Sequence, residues 1–422
     1  MSDNTNVGVK FRVLIVGAGP AGLAVAYAMR QSLACKQGQI VVRIVEKRSE
    51  EKILDRLGYP MHLSKDGRSS LLRLLAPQDT DNLWKARAKM GIKHDGITVT
   101  SHSRKRVYWM VRDIDSNPMV ERGDLNETLK RGAGEVEYST EITALEEATD
   151  GVNVRLIKRI GDDEQEDSVK VDLVVGADGM FSSTRNHIYT SDVSHSSKSS
   201  STPGGFKKLS QTIVNLRSVS PQVRRWVPDE HGMNLLYGDS FSASIMPLPD
   251  SVYIALTIPS NWLESSAPGE TKDVNLEKTV HRDFINDLKV DPGWGKRETY
   301  ELWSADTTVG GRKRIVLIGD AAHGMVPFCG AGASAGIKDG VELARTILEN
   351  YGRETFDQSL ENFRSQVRKR NNPLIRQSRR ILCLAQGGTW YENVMRRTVF
   401  WILETSERIK GEREKLKLEI DN

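Results

Sequence analysis

Phe11-Arg12-Val13-Leu14-Ile15-Val16-Gly17-Ala18-Gly19-Pro20-Ala21-Gly22 is the stretch that decides the fold. Phe11–Val16 reads as a short apolar strand, and the glycines that follow have the spacing GxGxxG. Pro20 to Ser32 reads as a helix, small and apolar where it must lie close to a sheet. Ile40–Val45 is a second strand and ends at Glu46, 24 residues after Gly22. A strand–helix–strand unit of this kind opens a parallel sheet. Its glycines allow a tight turn and let backbone approach a pyrophosphate, whose charge meets the N-terminus of the following helix. A carboxylate at the end of the second strand can accept hydrogen bonds from ribose hydroxyls. Gly17, Gly19, Pro20, Ala21, Gly22 and Glu46 are therefore candidate contacts to a dinucleotide. The alternative is a glycine-rich structural turn, and the motif by itself does not say which dinucleotide would bind.

Two further motifs lie far downstream. Val171-Asp172-Leu173-Val174-Val175-Gly176-Ala177-Asp178-Gly179 is an apolar strand that stops at an acidic turn, with Ser182 and Arg185 in the spacing DGxxSxxR. An Asp-Gly turn alone is commonplace and structural. Arg314-Ile315-Val316-Leu317-Ile318-Gly319-Asp320-Ala321-Ala322-His323 is a buried strand ending in glycine. It continues through Pro327 to Gly330-Ala331-Gly332 and into a helix striped by Ile337, Val341, Ala344 and Leu348.

Taken in order, the three motifs resemble those of the class A FAD-dependent monooxygenases, which share the fold of para-hydroxybenzoate hydroxylase. The resemblance runs over roughly residues 10 to 350 and is most specific from Gly319 to Gly332. It implies FAD as cofactor, with Asp178 touching FAD near the path of the pyridine nucleotide and Arg185 supporting that turn or meeting phosphate. It places Asp320 on the ribityl hydroxyls and the backbone of Pro327, Gly330, Gly332 and Ala333 beside the isoalloxazine. The N-terminus of the next helix would then favour negative charge on the reduced flavin. Val120-Glu121-Arg122-Gly123-Asp124-Leu125 resembles the family's Arg-x-x-Leu segment, whose arginine, here Arg122, reaches the pyrophosphate. Gly58-Tyr59-Pro60-Met61-His62-Leu63 resembles the segment that runs along the flavin, and Lys47 joins the cofactor set beside Glu46. His323 belongs to the motif's turn and reads as structural, and Cys329 reads as a small apolar filler. The family commonly has Gln at Ala331 and Asn at Ser334, so redox tuning and flavin mobility are open at this chain's flavin edge.

The resemblance implies one reaction scheme. NAD(P)H reduces FAD, O2 adds to form a flavin C4a-hydroperoxide, and an electron-rich substrate is hydroxylated or epoxidised. Flavin-dependent halogenases share the fold but carry Trp-x-Trp-x-Ile-Pro, and no two of the eight tryptophans here are two apart. No second strand-linked GxGxxG supplies a separate NADPH domain. Two other readings stay open: an FAD-linked dehydrogenase or oxidase that inserts no oxygen, and a non-catalytic nucleotide-binding protein.

Composition narrows the classes. The chain of 422 residues is 38% hydrophobic and 27% charged, ordinary for a globular protein, with room for two or three interlocked units. A net charge of +4 argues against a dedicated nucleic-acid binder. A polar start from Met1 to Lys10 and the lack of a long apolar run predict a cytoplasmic protein with no transmembrane segment, monomeric or homodimeric. Cys35, Cys329 and Cys383 are too dispersed for a paired-cysteine redox motif, and no metal site is expected.

The expected fold class is α/β: a Rossmann-like FAD-binding parallel-sheet domain interlocked with a mostly antiparallel substrate sheet, plus C-terminal helices. The FAD-binding domain is read over 1–75, 106–189 and 300–350, the substrate domain over 76–105 and 190–299, and the helical region over 351–422. Arg122 to Arg131 reads as a helix, and Val152 to Ile160 and Val169 to Val175 as strands around an acidic turn from Gly161 to Asp167. Gln211–Leu216, Ser242–Met246 and Val252–Ile258 read as strands of the second sheet. Seven of the eleven residues from Ser191 to Ser201 are serine and read as a surface loop. Tyr237, Met246 and Trp303 are candidate pocket walls, each also readable as plain core. Arg217 and Tyr237 are the candidates for orienting a substrate or protonating a product oxygen. The expected partner besides O2 is a neutral aromatic or fused-ring compound, since a small acid would need Arg217 or Tyr237 aimed at its carboxylate. The run Val399-Phe400-Trp401-Ile402-Leu403 reads as core or subunit contact in preference to membrane contact.

Overall fold

The strand Phe11–Val16 lies between two parallel partners, Ile40–Val45 and Leu173–Gly176. Ile315–Leu317 adds a third parallel neighbour beyond Leu173–Gly176, and Gly311–Arg312 closes that edge antiparallel. Side chains alternate across a strand, and here both faces are covered. Val13 and Ile15 enter a core with the helices Pro20–Gln31 and Gly332–Asn350, through Leu23, Ile337 and Leu343. Leu14 and Val16 enter a second core with Val152, Val154 and Leu156. A strand buried on both faces must be apolar throughout, which is why this run shows no alternation.

The computed structural model describes residues 10–54, 58–90, 95–100, 106–112, 119–190, 205–227, 232–237, 240–263, 282–387, 391–392, 394–396, 398–399, 401–402 and 405. The serine-rich stretch from Ser191 to Ser201 lies outside them, as do Phe400 and Leu403 of the C-terminal apolar run, in which Trp401 and Ile402 are exposed. By contact density the chain divides into two units. The first comprises the described parts of 1–85, 120–207 and 303–378, and the second those of 86–119, 208–302 and 379–422.

The first unit holds the parallel sheet and a three-stranded antiparallel sheet, Thr140–Ala148, Gly151–Ile160 and Asp163–Val171. Two expectations need correction here. The turn after Ile160 is confined to Gly161 and Asp162, because pairing resumes at Ile160 and Asp163. The acidic residues that follow are exposed on a paired strand, whose backbone ladder is indifferent to side-chain charge. The expected strand Val169 to Val175 is two strands in different sheets, parted at Asp172. The Asp172 carboxylate accepts from the Arg12 backbone N–H at 2.7 Å and from its Nε at 3.1 Å, so the break is held by a side chain. The helix Gly332–Asn350 also turns a different face inward. Gly340, Leu343 and Ile347 are buried with Ile337 and Ala344, while Val341 and Leu348 are half-buried. The cause is close packing on Pro20–Gln31: a Cβ at Gly340 would stand 2.7 Å from the Ala21 carbonyl oxygen.

The second unit is built on a seven-stranded sheet. Its order is Glu298–Ala305, Phe206–Ser218, Val252–Pro259, Ser242–Pro247, Met233–Tyr237, Asp95–Thr100 and Arg106–Arg112. From Phe206–Ser218 to Arg106–Arg112 the pairing is antiparallel except between Met233–Tyr237 and Asp95–Thr100. One face packs Val214, Leu216, Ile254 and Leu256 against Phe284, Ile285 and Leu288 of the helix Arg282–Lys289. The mixed α/β class with a parallel sheet, a mostly antiparallel sheet and C-terminal helices is the architecture expected. Among the described residues no helix is long and apolar enough to cross a membrane.

Candidate functional site

In the first unit the ends of three parallel strands open onto one cleft, lined by Gly17, Gly19, Glu46, Lys47, Arg122, Asp178 and Gly179 among others. Segments some 160 residues apart in sequence thus share one surface. Gly17 has φ +103, and a Cβ there would lie 2.5 Å from the Ala177 carbonyl oxygen, so only glycine lets the two strand ends meet. At Gly19 and Gly179 an added Cβ would meet no protein atom within 4 Å. That open space sits at the N-terminus of the helix Pro20–Gln31, whose N-cap is Gly19, and suits a phosphate.

Glu46 is 8% exposed and is held from two sides. Its Oε2 accepts the Ala18 N–H at 3.1 Å and its Oε1 accepts the Arg48 N–H at 3.0 Å. A carboxylate offers about four acceptor positions, so capacity remains for ribose hydroxyls. The amide clamp is a role that sequence reasoning did not see. Arg122 begins the helix Arg122–Ala133, and its guanidinium lies 5.5 Å over the Tyr59 ring. Among the described residues no carboxylate pairs with it. An unmatched guanidinium in a glycine-floored cleft fits a pyrophosphate.

Asp178 turns its carboxylate toward its own helix, Ser183–Thr190. Oδ1 accepts the Ser182 hydroxyl at 2.5 Å, and Oδ2 accepts the Thr184 N–H at 3.0 Å and its hydroxyl at 3.1 Å. The DGxxS spacing is thereby explained as a helix start, with Gly179 and Ser183 on the cleft wall. Arg185 takes the first of the two roles expected of it, supporting the turn. It is buried, donates from Nη1 to the Ala321 carbonyl at 2.9 Å and from Nη2 to that of Met180 at 2.7 Å, and stacks 3.7 Å from the Phe206 ring. Burial pulls its pKa down to about 10.

Asp320 begins the one-turn helix Asp320–His323. Its side chain is exposed, although surrounding protein raises its pKa by desolvation against the pull of His323, Arg122 and Arg185. Because water reaches the carboxylate, that shift is tempered and the group remains available to a ligand. A Cβ on Gly332 would stand 3.7 Å from Asp320 Oδ1, so this carboxylate faces the start of the helix Gly332–Asn350. Pro327 opens the short turn Pro327–Cys329, after which Gly330 adopts φ +61. A Cβ on Gly330 would lie 3.3 Å from His62 Cβ. Ser334 Oγ accepts the Ser64 N–H at 2.9 Å, and the Tyr59 carbonyl accepts the Arg122 N–H at 3.1 Å. The segment from Gly58 to Ser64 is therefore laid beside Gly330 and Ala333, so Ser334 pins the backbone where the family commonly has Asn. Cys329 packs with Met325 and Trp303, and burial raises its pKa, leaving a neutral thiol.

His323 is fully buried, with Nε2 2.5 Å from Asp339 Oδ2. It faces away from solvent and reads as structural. Asp339 was missed in the sequence, although a signal existed: three residues after Gly336 and four before Leu343, it sits on the buried face of its helix.

The two substrate-side candidates do not converge. Arg217 pairs across the ladder with Tyr253, and Tyr253 with Met246, whereas Tyr237 pairs with Ser242, and Ser242 with Thr257. They occupy one sheet face but lie three strands and four residues apart, about 19 Å between Cα atoms. Both cannot clamp one small carboxylate. Burial pushes the Tyr237 hydroxyl up to about 12, and the Arg396 guanidinium lies 5.6 Å from its ring. Met246 is buried, and Trp303 packs edge-on against Phe181 at 5.7 Å.

Comparison with known proteins identifies the family. A family model described as FAD binding domain matches residues 86–378, which contain the Asp178 and Asp320 motifs. The 6-hydroxynicotinate 3-monooxygenase of Bordetella bronchiseptica is 25% identical over 384 residues, covering 81% of this chain and 84% of that protein. An FAD-dependent monooxygenase of Trichoderma harzianum is 25% identical over 387 residues, covering 86% and 89%. In structure, Klebsiella pneumoniae HpxO complexed with FAD and uric acid superposes with a TM-score of 0.70 at 17% identity, covering 95% of each chain.

Proposed function

Since the chain belongs to the FAD binding domain family of flavin-dependent aromatic monooxygenases, with FAD as cofactor, we infer that it hydroxylates or epoxidises a neutral aromatic small molecule at the expense of NAD(P)H and O2. One observation carries the cofactor half of this reading: the cleft that joins the first two motifs with Glu46 and presents the Arg122 guanidinium beside glycines whose Cβ positions at Gly19 and Gly179 are open. In it Arg122 and the N-terminus of Pro20–Gln31 would meet the pyrophosphate and Glu46 the ribose, while Asp320, which does not line this cleft but whose carboxylate feels the Arg122 charge, would meet the ribityl chain. Bound FAD would supply the electron transfer and oxygen activation. The N-terminus of Gly332–Asn350 would favour negative charge at the flavin, and the protein would otherwise orient substrate and exclude water.

Support for a dinucleotide co-substrate comes from a second cleft contiguous with the first, lined by Lys47, Arg48, Lys52 and Arg159. Arg159 is committed to Glu141 and Glu164, but Lys47 and Lys52 present ammonium groups that suit phosphate. Support for a neutral aromatic substrate comes from the separation of Arg217 and Tyr237, which keeps these two residues from clamping one carboxylate together. The relatives' names, 6-hydroxynicotinate in one and uric acid in the other, support a nitrogen heteroaromatic ring; both compounds are acids, so they support the aromatic part of the reading and not its neutrality.

The test is oxygen labelling. Purified protein should be yellow, oxidise NADPH faster when an indole, quinone or polyphenol is added, and place 18O from labelled O2 in the product. Substrate oxidation without label would establish a dehydrogenase or oxidase, and FAD binding without stimulated NADPH oxidation would establish a binding protein.

A further inference from the structure

The turn that carries Asp320 is gripped from behind by side chains that line neither of the two clefts described above. Asp339, on the helix Gly332–Asn350, is fully buried and serves four donors. Its Oδ2 accepts the Gly319 N–H at 3.1 Å and lies 2.5 Å from His323 Nε2. Its Oδ1 accepts Arg370 Nη2 at 2.6 Å and Asn371 Nδ2 at 3.4 Å. Gly319 and His323 bracket the turn Asp320–His323, so a single carboxylate oxygen ties both ends of it. The opposite side offers no retreat, since a Cβ on Gly319 would already lie 3.0 Å from Ala21 Cβ.

One carboxylate can do this only while it is ionised. A protonated Asp339 would use an oxygen as donor and lose one of the groups it now holds. A buried carboxylate stays charged only beside a matching cation, and its neighbour His323 is itself titratable. Arg370 supplies the permanent charge. It comes from the 31-residue helix Phe356–Gln386, and its Nη1 is anchored on Glu342 Oε2 at 2.6 Å. The guanidinium thus bridges two carboxylates of the neighbouring helix, one buried and one half-buried.

We propose that Arg370 is a positioning residue for the cofactor: acting through Asp339, it fixes Gly319 and so aims the Asp320 carboxylate at the ribityl chain of FAD. The proposal rests on the FAD site described above, and the experiment separates the two. Apoprotein is titrated with FAD, following quenching of flavin fluorescence, and the visible circular dichroism of the bound flavin is recorded. FAD-free unfolding is measured alongside. Arg370→Met should raise the FAD Kd at least about tenfold and alter the flavin dichroism, and Arg370→Gln should raise it several-fold; Arg370→Lys, which keeps the charge but not the two-armed bridge, should fall between wild type and Arg370→Gln. A purely structural arginine would lower the unfolding midpoint of the apoprotein while the folded fraction bound FAD with wild-type Kd and dichroism. That result in Arg370→Met, or in Arg370→Gln if the Met variant does not fold, overturns the proposal. Wild-type protein that fails to bind FAD overturns the reading of the site itself.

Discussion

Replacing Glu46 by alanine should destabilise the protein before any cofactor is added. A side chain that only met ribose would affect the FAD-bound state alone. Glu46 instead accepts the Ala18 and Arg48 amides at 3.1 and 3.0 Å. The two losses are unequal. Arg48 is exposed, so water can replace its partner, whereas the Ala18 amide lies in the buried glycine turn. A buried N–H left unsatisfied costs about 1–3 kcal/mol, and the surface amide adds a few tenths. The sum is about 1–3 kcal/mol, which for a unit of this size lowers the unfolding midpoint by roughly 2–12 °C. Glu46→Gln keeps one acceptor oxygen and should lose about half as much. FAD-free protein would be melted with circular dichroism as the readout, and FAD affinity measured separately at a temperature where all variants are folded. If the FAD-free Glu46→Ala variant melts with wild type while its FAD affinity falls, the carboxylate serves the ligand alone and the clamp argument is wrong.

Asp320→Ala and Arg122→Ala should each weaken FAD retention about tenfold or more, because each removes a charged partner of a group held from water. Fluorescence of released flavin measures this, and full FAD occupancy in both purified variants would refute the placement. A third expectation concerns pH. Asp339 raises the pKa of His323 above 6.5 despite burial, so the stability this pair contributes is complete below about pH 6.5 and is lost as pH rises through the higher folded value. The Asp339 carboxyl is shifted the other way by His323 and Arg370, so its share is present above 3.8 and is lost only as pH falls through its lowered value. The stability gap between wild type and His323→Gln should therefore narrow from about pH 6.5 upward. A gap constant from about pH 5.5 to about pH 9 in urea titrations would sink that assignment.

Local chemistry made much of this protein legible from its sequence. A strand buried on both faces has to be apolar, a turn that admits a phosphate has to be glycine, and an acid at a strand end is conspicuous. Phe11–Gly22, Glu46, Asp178 and Gly319–Gly332 could accordingly be read with no coordinates at all. Each of these signals lies within a few residues, and their order along the chain was enough to imply the family. The tertiary structure decided what depends on partners distant in sequence. Whether Asp178 faces a ligand or its own helix, and whether Glu46 grips ribose or backbone, depends on which amides lie within about 3 Å once the strands are assembled. Asp339 and Arg370 lie 31 residues apart on different helices and carry no motif, yet packing makes them one charge pair beneath Gly319. Arg217 and Tyr237 show the converse. Both are plausible by residue type and 20 positions apart in the chain, but the ladder separates them by three strands. Pairing order in an antiparallel sheet is set by long-range hydrogen bonds and burial, and residue identity at two positions does not encode it.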